Sequence, residues 1–442
     1  MLAAPVGISQ GAGRLITTEE AAEELGIDLS QPLSVDACIA LALRVHPDVL
    51  VAANDLQQAV AGVRQARASL FPNISASTDY RVTEQPTRTT VVGGSVIPVG
   101  GGRSTSKNSQ VSAYLEAYRT GRGDQIHQAQ QYARAAREGT VDTRRRLAYL
   151  ITQSYYDWLA AEKLVAVNID AETSAQGHVD MVDARIAAND AAPVDIHRVR
   201  AQLHQSQLGV SSARNQVAIS RASFWSALGE PETPIEIIDI WDEPRELPQL
   251  DECIEMAMAT RPDLAQTEVY VRAARTGLKI ARLNLGPTAS VAGSSEYGRH
   301  DGNTGTSWTI YGTLSQSIFD GGANRAGVAS AKAQLNSALA NLERLKRSIR
   351  LEVETAWLRL RQSAEAIAAA EASQTESQAA LDAAERRYQA DVGILLEITD
   401  GRATATSADI SVVNAHYDYN TALADLDRSI GTDLTPSNPP GE

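Results

Sequence analysis

Glu397 and Asp400 are the two residues of this sequence whose type and spacing point most directly to a chemical role. A separation of three positions places both carboxylates on one face of a helix. Where several copies of such a helix converge, crowded carboxylates take up protons or bind cations more readily than isolated ones. The alternative is a solvated helix start, because acids near a helix N-terminus are also favoured by the helix dipole.

Other candidate sites fail on the residue types around them. His197 and His204 are two turns apart on one predicted helix, but no Cys, Asp or Glu lies between them, so they predict no metal site. Gly100–Gly102 is not followed by the Lys-Ser/Thr of a phosphate-binding loop. Trp158 and Trp357 lie on apolar helix faces, where packing is the expected role. The sequence therefore predicts no enzyme, no cofactor and no metal.

The composition favours a protein made mainly of extended helices. Of 442 residues only 3 are Phe and 16 are Pro, and the long segments are rich in Ala, Leu, Gln, Glu and Arg. Chains of this kind bury narrow seams rather than one thick core. With 40 basic and 54 acidic residues, the net charge of −14 argues against nucleic acid as a partner.

The sequence carries no recognisable secretion or membrane-spanning signal. Its first residues, Met1–Pro5, lack the basic and apolar regions of a signal peptide, and no window approaches 18 apolar residues. We therefore expect either a cytosolic protein or a mature chain whose signal peptide has been removed. Cys38 and Cys253 occupy equivalent positions on predicted short helices, each followed by Ile, so we expect buried thiols, with a disulfide as the alternative.

The same pattern occurs twice along the chain. A constant spacing of 215 positions relates three pairs of residues: Cys38 and Cys253, Pro47 and Pro262, and Pro72 and Pro287. Each copy then follows one order of short helix, helix, strand pair, very long helix, break and long helix. A period of this length indicates duplication of half a protein. The two halves are therefore expected to pack as equivalents around a pseudo-symmetry axis.

Each copy contains one predicted pair of strands. Ile74, Ala76, Thr78, Tyr80 and Val82 alternate with polar residues, which predicts a strand with one apolar face. The first hairpin is predicted over about 72–118, with a Gly-rich loop over 83–107. The second is predicted over about 287–319, with a shorter loop.

Two runs without proline, 124–188 and 322–390, predict very long helices, and Leu, Ile and Val at 3-4 spacing in the second predict a coiled-coil seam. The predicted organisation is an N-terminal extended segment at 1–33, a first repeat at 34–228, an inter-repeat linker in the equatorial region at 229–250, a second repeat at 251–430 and a disordered tail at 431–442. Each repeat has a helical tip, at about 188–196 and 389–397.

Two hairpins with unpaired edges are not stable beside thin helices, so they must be closed. If several copies contribute their four strands to one barrel, every edge is paired and the barrel can span a bilayer. Its outward face would hold Ile74, Val82, Val291, Ile310 and Leu314, and its interfacial aromatics would be Tyr80, Tyr297, Trp308 and Tyr311. The alternative, a soluble coiled-coil scaffold, does not explain strands inserted twice at the same place.

The run Leu314-Ser-Gln-Ser-Ile-Phe-Asp-Gly-Gly322 before the second long helix, the duplicated helix-Pro start and the Tyr388…Glu397-Ile-Thr-Asp400 turn resemble the TolC-like outer-membrane efflux protein family. This resemblance covers about residues 33–430. It implies a mainly α fold with a small β part: a homotrimer with a 12-stranded transmembrane β-barrel, continuous with a periplasmic tunnel of coiled helices. Such channels lie in the cell outer membrane, in contact with its lipid. They dock onto a periplasmic adaptor protein and an inner-membrane pump of RND or ABC type.

The resemblance also implies roles for individual residues. Glu397 and Asp400 match carboxylates that ring the periplasmic aperture, and Asp195 and Tyr388 match a pair that forms a hydrogen bond in the closed state. The family's latch arginine would fall at Gly393, so that link is absent. The tips predicted to dock the adaptor are Ala191, Ala192, Pro193, Val392, Gly393, Ile394 and Leu395.

The resemblance implies export of small molecules such as drugs or metals, with type I protein secretion as the alternative. The sequence does not separate the two, because the pump selects the cargo. The first repeat departs from the family pattern, with Tyr118-Arg119-Thr120-Gly121 where the second has Ile318-Phe319-Asp320-Gly321. Its tip also lacks the family's usual glycine.

Overall fold

The computed structural model describes residues 16–189, 192–231, 235–239, 244, 247–300, 303–390 and 392–431. Within these residues the elements are, in chain order, α1 (Thr18–Leu25), α2 (Val35–Val45), α3 (Pro47–Ala68), β1 (Asn73–Gln85), β2 (Arg88–Val92), β3 (Ser95–Val99), β4 (Gly102–Arg119), α4 (Arg122–Ala187), α5 (Asp195–Leu228), α6 (Leu250–Thr260), α7 (Pro262–Leu283), β5 (Thr288–His300), β6 (Asn303–Ser315), α8 (Ala323–Gln389) and α9 (Leu395–Ile430).

Local signals explain where several helices begin and end. Helices α3 and α7 both start at a proline, whose missing N–H costs nothing at the first helical position. Ser34 caps α2 by accepting a hydrogen bond from the Ala37 amide. The segment 1–33, predicted to be extended, contains α1, because Thr17 and Glu20 form a reciprocal capping box. That prediction was wrong for α1, and residues 1–15 lie outside the described chain.

The chain divides into two compact units. One comprises Leu56–Ala135 and Thr267–Asn341, and it contains an antiparallel sheet of four strands in the order β1-β4-β5-β6. The pairing of β5 with β6 is continuous from Thr288↔Ser315 to His300↔Asn303. Both predicted hairpins are therefore present, each with its two long strands adjacent in the sheet.

The stretch 83–107, predicted to be a loop, is largely strand. Strand β1 continues to Gln85, β4 begins at Gly102, and β2 and β3 form a separate two-stranded sheet between them. The prediction was wrong because the glycines were read as loop residues. They form the turns between strands instead: Gly93 and Gly94 have φ of 60° and 84°, as a two-residue hairpin turn requires.

One face of the four-stranded sheet carries the predicted apolar side chains. Because alternate residues of a strand point to opposite faces, the register places on one face Ile74, Tyr80, Val82, Val111, Val291, Tyr297, Trp308, Ile310 and Leu314. Tyr311 pairs with Ala292 and lies on the opposite face, together with Tyr114. Its assignment to the same aromatic girdle as Trp308 was wrong, because the two residues are three positions apart in β6 and an odd separation places them on opposite faces.

The other unit comprises Met1–Asp55, Ala136–Gln266 and Leu342–Glu442. In this unit one arrangement occurs twice: the junction between a short helix and the helix that follows it packs against the C-terminal end of a long helix. The junction His46–Pro47 and the end of α5 at Gly229 together form what we call the first joint. There a Cβ on Gly229 would lie 2.9 Å from Pro47 Cδ. Buried aromatic side chains surround this joint, including Tyr155, Trp158, Phe224 and Trp225.

The junction Arg261–Pro262 and the end of α9 at Gly431 together form what we call the second joint. A Cβ on Gly431 would lie 3.1 Å from Arg261 Cγ. The apolar cluster beside it includes Cys253, Leu360 and Leu426. It also includes Ile349, Val353 and Ala356, which confirms the predicted seam of α8 over that stretch.

Cys38 and Cys253 are buried free thiols, as predicted, and burial raises the pKa of Cys38 to about 12. Among the helices of the described residues, none is both long enough and apolar enough to cross a bilayer.

Candidate functional site

The candidate site is the region where α4 and α8 end and α5 and α9 begin. The buried side chains of these four helix ends form one apolar cluster, the tip cluster, which consists of Ala175, Val179, Val182, Ile196, Val199, Leu203, Leu381, Tyr388, Leu395, Ile398 and Ala405. It joins helices of the first repeat to helices of the second, so the ends of the two repeats are packed together.

A tight turn connects α8 to α9. The amides of Val392 and Gly393 both donate hydrogen bonds to the Arg387 carbonyl at 3.0 Å. A Cβ on Gly393 would lie 2.8 Å from the Tyr388 backbone nitrogen, which is closer than side chains come to backbone atoms. Gly393 is therefore required by the turn itself, independently of any partner.

The residues predicted to dock an adaptor do not all lie on the surface. Val392 and Ile394 are exposed, and so are Ala192 and Pro193. Leu395 is only 5 % exposed and belongs to the tip cluster, so its assignment as a contact residue was wrong. Ala191 lies outside the described residues. Val194, which the prediction omitted, is a further exposed apolar residue at the start of α5.

Tyr388 is held from α4 by Arg185. The guanidinium carbon of Arg185 lies 4.6 Å from the Tyr388 ring centroid, a cation–π distance, and Nη1 donates to the Tyr388 carbonyl at 3.1 Å. Among the described residues, no hydrogen bond joins the Tyr388 hydroxyl to Asp195, so the predicted pair is not formed in this chain. The reason is that the ring, 8 % exposed, is directed into the tip cluster.

The two predicted aperture carboxylates have different surroundings. Glu397 is half-buried, and its Oε2 lies 3.5 Å from Arg387 Nη1. Asp400 is exposed, and no cationic side chain of the described residues lies within ion-pair distance of its carboxylate. Glu397 thus has a partner of opposite charge in its own chain, which makes Asp400 the less compensated acid of the pair.

A set of three polar side chains, Glu385, Arg402 and His178, lies beside the tip cluster on the same helices. Glu385 on α8 accepts from Arg402 on α9 at 2.6 Å and lies 3.6 Å from His178 Nε2 on α4. A cavity of about 10 Å³, room for one water, is lined in part by His178 and Arg402. Burial and the charge of Arg402 lower the pKa of His178, and Glu385 only partly opposes this.

Sequence reasoning missed Arg185, His178 and Arg402. Arg185 and its contact Tyr388 are separated by 203 positions, so no local spacing in the sequence connects the two residues. The signal available was the internal repeat: Arg185-Ile186 in the first repeat stands where Arg387-Tyr388 stands in the second. It marks an arginine at both helix ends but does not show that Arg185 contacts the Tyr388 ring.

A family model described as "Outer membrane efflux protein" matches residues 38–230 and 253–432. The two matched stretches begin at Cys38 and Cys253, so they reproduce the duplication seen in the sequence. Outer membrane protein OprJ of Pseudomonas aeruginosa is 26% identical over 410 residues, which cover 85% of this chain and 79% of OprJ.

Solved structures share the fold at lower identity. CusC matches with a TM-score of 0.80 and 15% identity, over 90% of this chain and 92% of CusC. The Campylobacter jejuni CmeC outer membrane channel matches with a TM-score of 0.78 and 16% identity, over 96% of this chain and 90% of CmeC. The predicted fold class, TolC-like long helices with a small strand part, is confirmed.

Proposed function

This chain belongs to the outer membrane efflux protein family, and we propose that three copies of it form a passive export duct that works when docked to a periplasmic adaptor and an inner-membrane pump. Members of the family are channels rather than enzymes, and they lie in the outer membrane with a helical tunnel in the periplasm. That membership removes the soluble scaffold alternative. The trimer, the docking and the cargo are the proposed part.

The observation that carries the proposal is the open four-stranded sheet with an exposed apolar face. Strands β1 and β6 each leave one edge without a partner among the described strands. Trp308, Ile310 and Leu314 are among the exposed large apolar residues of that face. A sheet of this kind is stable when copies pair edge to edge and lipid covers the apolar side.

The cargo proposed is small toxic molecules, since the matched family is one of efflux proteins. Expression in a bacterial host that lacks its own outer-membrane efflux channel, together with a matching pump and adaptor, should restore resistance to the pump's substrates. Reconstituted protein should conduct ions in planar bilayers and run as a heat-sensitive trimer on a gel. A detergent-free monomer that inserts into no bilayer would refute the duct.

The docking surface proposed is the exposed part of the two tips, chiefly Ala192, Val194, Val392 and Ile394. The small side chain of Ala192 permits close approach, and the other three supply apolar contact. Ala192→Trp should abolish export while the trimer still assembles, and Ala369→Trp on the exposed surface of α8 is the matched control. Gly393→Trp does not test docking, because it would break the turn. Normal export by Ala192→Trp would remove this assignment.

We further propose that Glu397 and Asp400 form the acidic ring of the aperture, with Asp400 the dominant member because Arg387 compensates Glu397. Rings of carboxylates favour cations, so multivalent cations applied from the periplasmic side should block conductance. Asp400→Asn should remove most of that block and Glu397→Gln less of it. An unchanged block in the double variant would place the acidic ring elsewhere.

The resting closure is proposed to depend on Arg185 and the ring of Tyr388. Arg185→Gln should raise resting conductance, because it removes the cation–π contact and weakens the bond to the Tyr388 carbonyl. Tyr388→Phe keeps the ring and should leave resting conductance unchanged. The opposite result, with Tyr388→Phe leaky and Arg185→Gln closed, would favour the hydroxyl bond to Asp195 that the family resemblance implies.

A further inference from the structure

The segment between β6 and α8 exposes two large apolar side chains. Ile318 is 99 % exposed and Phe319 is 89 % exposed. At the opposite edge of the sheet, Leu70 and Phe71 precede β1, and Phe71 is 70 % exposed. Apolar side chains exposed to this extent indicate surfaces that something else covers.

The strand order determines which surfaces come together when copies close a barrel. Every neighbouring pair in β1-β4-β5-β6 is antiparallel, so β1 and β6 run in opposite directions. The start of β1 therefore lies at the same end of the sheet as the end of β6. The two edge strands are also equal in length, 13 residues each. Pairing β6 of one copy with β1 of the next brings Ile318 and Phe319 beside Leu70 and Phe71.

The chain contains an internal example of such a contact. The exit of the first hairpin, Tyr118–Gly121, packs on the entry of the second, Leu283–Pro287. Thr120 Oγ1 donates to the Pro287 carbonyl at 3.2 Å. A Cβ on Gly286 would lie 2.5 Å from Thr120 Oγ1. Exit and entry links on neighbouring strands therefore touch directly within one chain.

The repeat relates this internal contact to the two open edges. The 215-position spacing matches Gly286 to Phe71. The exit links match Thr120, which contacts Gly286, to Asp320, and they match the preceding residue, Arg119, to Phe319. Arg119 is ion-paired with Glu116 at 2.7 Å and suits a half-exposed position. At the open edges both positions are phenylalanine, so the two surfaces that would meet have both become apolar.

The exit link is also held in a defined position. The carboxylate of Asp320 accepts hydrogen bonds from the amides of Gly322 at 3.0 Å and Asn324 at 2.8 Å, which caps the start of α8. A capped link presents the preceding Phe319 with less conformational freedom than an unstructured loop would.

We infer that the exit link Ile318–Gly321 of one copy packs on the entry link Ala68–Pro72 of a neighbouring copy, with Phe319 against Phe71. The occupant of this surface is thus a second copy of the chain, and the contact lies outside the paired strands. The inference rests on the proposed trimer and names a place where its copies meet.

Cysteine cross-linking tests the contact. In a background with Cys38→Ala and Cys253→Ala, the double variant Phe71→Cys with Phe319→Cys is treated with a short bis-maleimide, which joins nearby thiols without requiring disulfide geometry. Denaturing gels should then show covalently linked dimers and trimers. Tyr118→Cys with Phe319→Cys is the matched control, since another link separates these positions in either direction around the sheet, and it should remain monomeric.

A second pair, Leu70→Cys with Ile318→Cys, repeats the test if the first variant does not assemble. Conductance and the heat-sensitive trimer band are measured on the same preparations. A conducting trimer without the cross-link overturns this contact and leaves the duct standing, and lipid would then be the cover of both links. A linkage formed only within monomers also overturns it. Absence of the trimer from the unmodified protein, measured beside the cysteine-free parent, would overturn the proposed function first.

Discussion

The first joint and the second joint occupy equivalent places in the two repeats but are stabilised by different interactions. In the first, the Phe224 ring lies 5.3 Å from Trp158 and 5.7 Å from Trp225, centroid to centroid. In the second, Arg261 forms ion pairs with Asp263 and Glu352, each at 2.7 Å. The backbone is shared: α5 and α9 both end in a left-handed glycine that packs on the helix-Pro junction.

The second joint extends its ion pairs across several helices. Arg428 on α9 bonds to Glu352 on α8 at 2.7 Å and lies 4.9 Å from the Tyr149 ring centroid on α4. Although burial alone lowers the pKa of Arg261, Asp263 and Glu352 outweigh that effect and hold it above its ordinary value.

The difference teaches that one duplicated backbone accepts either kind of stabilisation. Apolar burial is strong but non-directional, whereas bidentate and shared arginine pairs require particular geometry. The second joint therefore fixes the relative positions of α7, α8 and α9 through directed bonds, and the first holds α4 and α5 through close packing.

The largest effect is expected from the aromatic joint. Phe224→Ala removes a fully buried ring and should lower the free energy of unfolding by about 4 kcal/mol, because a cavity remains. Leu426→Ala, at the matching position of α9, should cost about 3 kcal/mol. Urea unfolding of the solubilised protein measures both. Equal losses for the two variants, or a larger loss for Leu426→Ala, would contradict the contrast between the joints.

Removing the central arginine is expected to have the next largest effect. Arg261→Met leaves two carboxylates and the Ser429 carbonyl without this donor, which should cost about 2–3 kcal/mol, less than for a fully buried pair because the acids are partly exposed. His46→Met, the equivalent change in the first joint, should cost under about 1 kcal/mol. The same unfolding measurement compares them, and a larger loss for His46→Met would contradict the contrast drawn above.

The two terminal glycines should behave more alike than the rest of the joints. Gly229 and Gly431 have φ of 87° and 81°, so alanine at either site should cost about 1–2 kcal/mol for the left-handed backbone. Gly229→Ala should be the costlier change, because its Cβ meets the rigid Pro47 ring at 2.9 Å. Thermal melts of the two variants, compared side by side, provide the test. A costlier Gly431→Ala would refute this ranking.

The smallest effect expected is a pH dependence of the second joint. Burial raises the pKa of Asp142, which lies near Asp263, Arg261 and Arg428. A raised pKa means that its favourable contribution is fully present below the ordinary value and is lost as pH rises through the folded-state pKa. Asp142→Asn should therefore be at least as stable as the parent at pH 7, and this advantage should shrink on acidification.

Melting temperatures of both proteins between pH 4 and pH 7 measure that difference. Arg146→Gln is the companion variant: the charge of Arg146, whose Nε lies 3.1 Å from the Asp142 carboxylate, opposes the rise in that pKa, so its removal should steepen the dependence on pH. A constant difference between Asp142→Asn and the parent across this range would contradict the sign.

Much of the fold was predictable because repetition and periodicity are properties of the sequence itself. The alternation of apolar residues such as Ile74 and Val82 with polar ones predicts a strand with one apolar face, and Pro47 and Pro262 mark matching helix starts. Strand β3 was missed because Ser95–Val99 lies between glycine pairs and contains a proline, both of which normally indicate loops. Helix α1 was missed because eight residues give too short a periodic signal.

The candidate site was less predictable than the fold. Leu395 is apolar in both of the roles considered, and only its position in the first turn of α9 decides that it is buried. The contact between Arg185 and Tyr388 joins two helices from different repeats. Such contacts depend on how helices are rotated about their axes, and spacing along one helix does not determine that rotation.

The turn at Gly93 and Gly94 provides a practical site for labelling. A Cβ on either residue would meet nothing within 4 Å, and the flanking strands β2 and β3 pair only with each other among the described strands. An epitope or fluorophore-binding peptide inserted there leaves the register of the four-stranded sheet untouched. In the proposed orientation the tag projects from the cell, so antibody staining of intact bacteria reports correctly assembled protein without breaking the envelope.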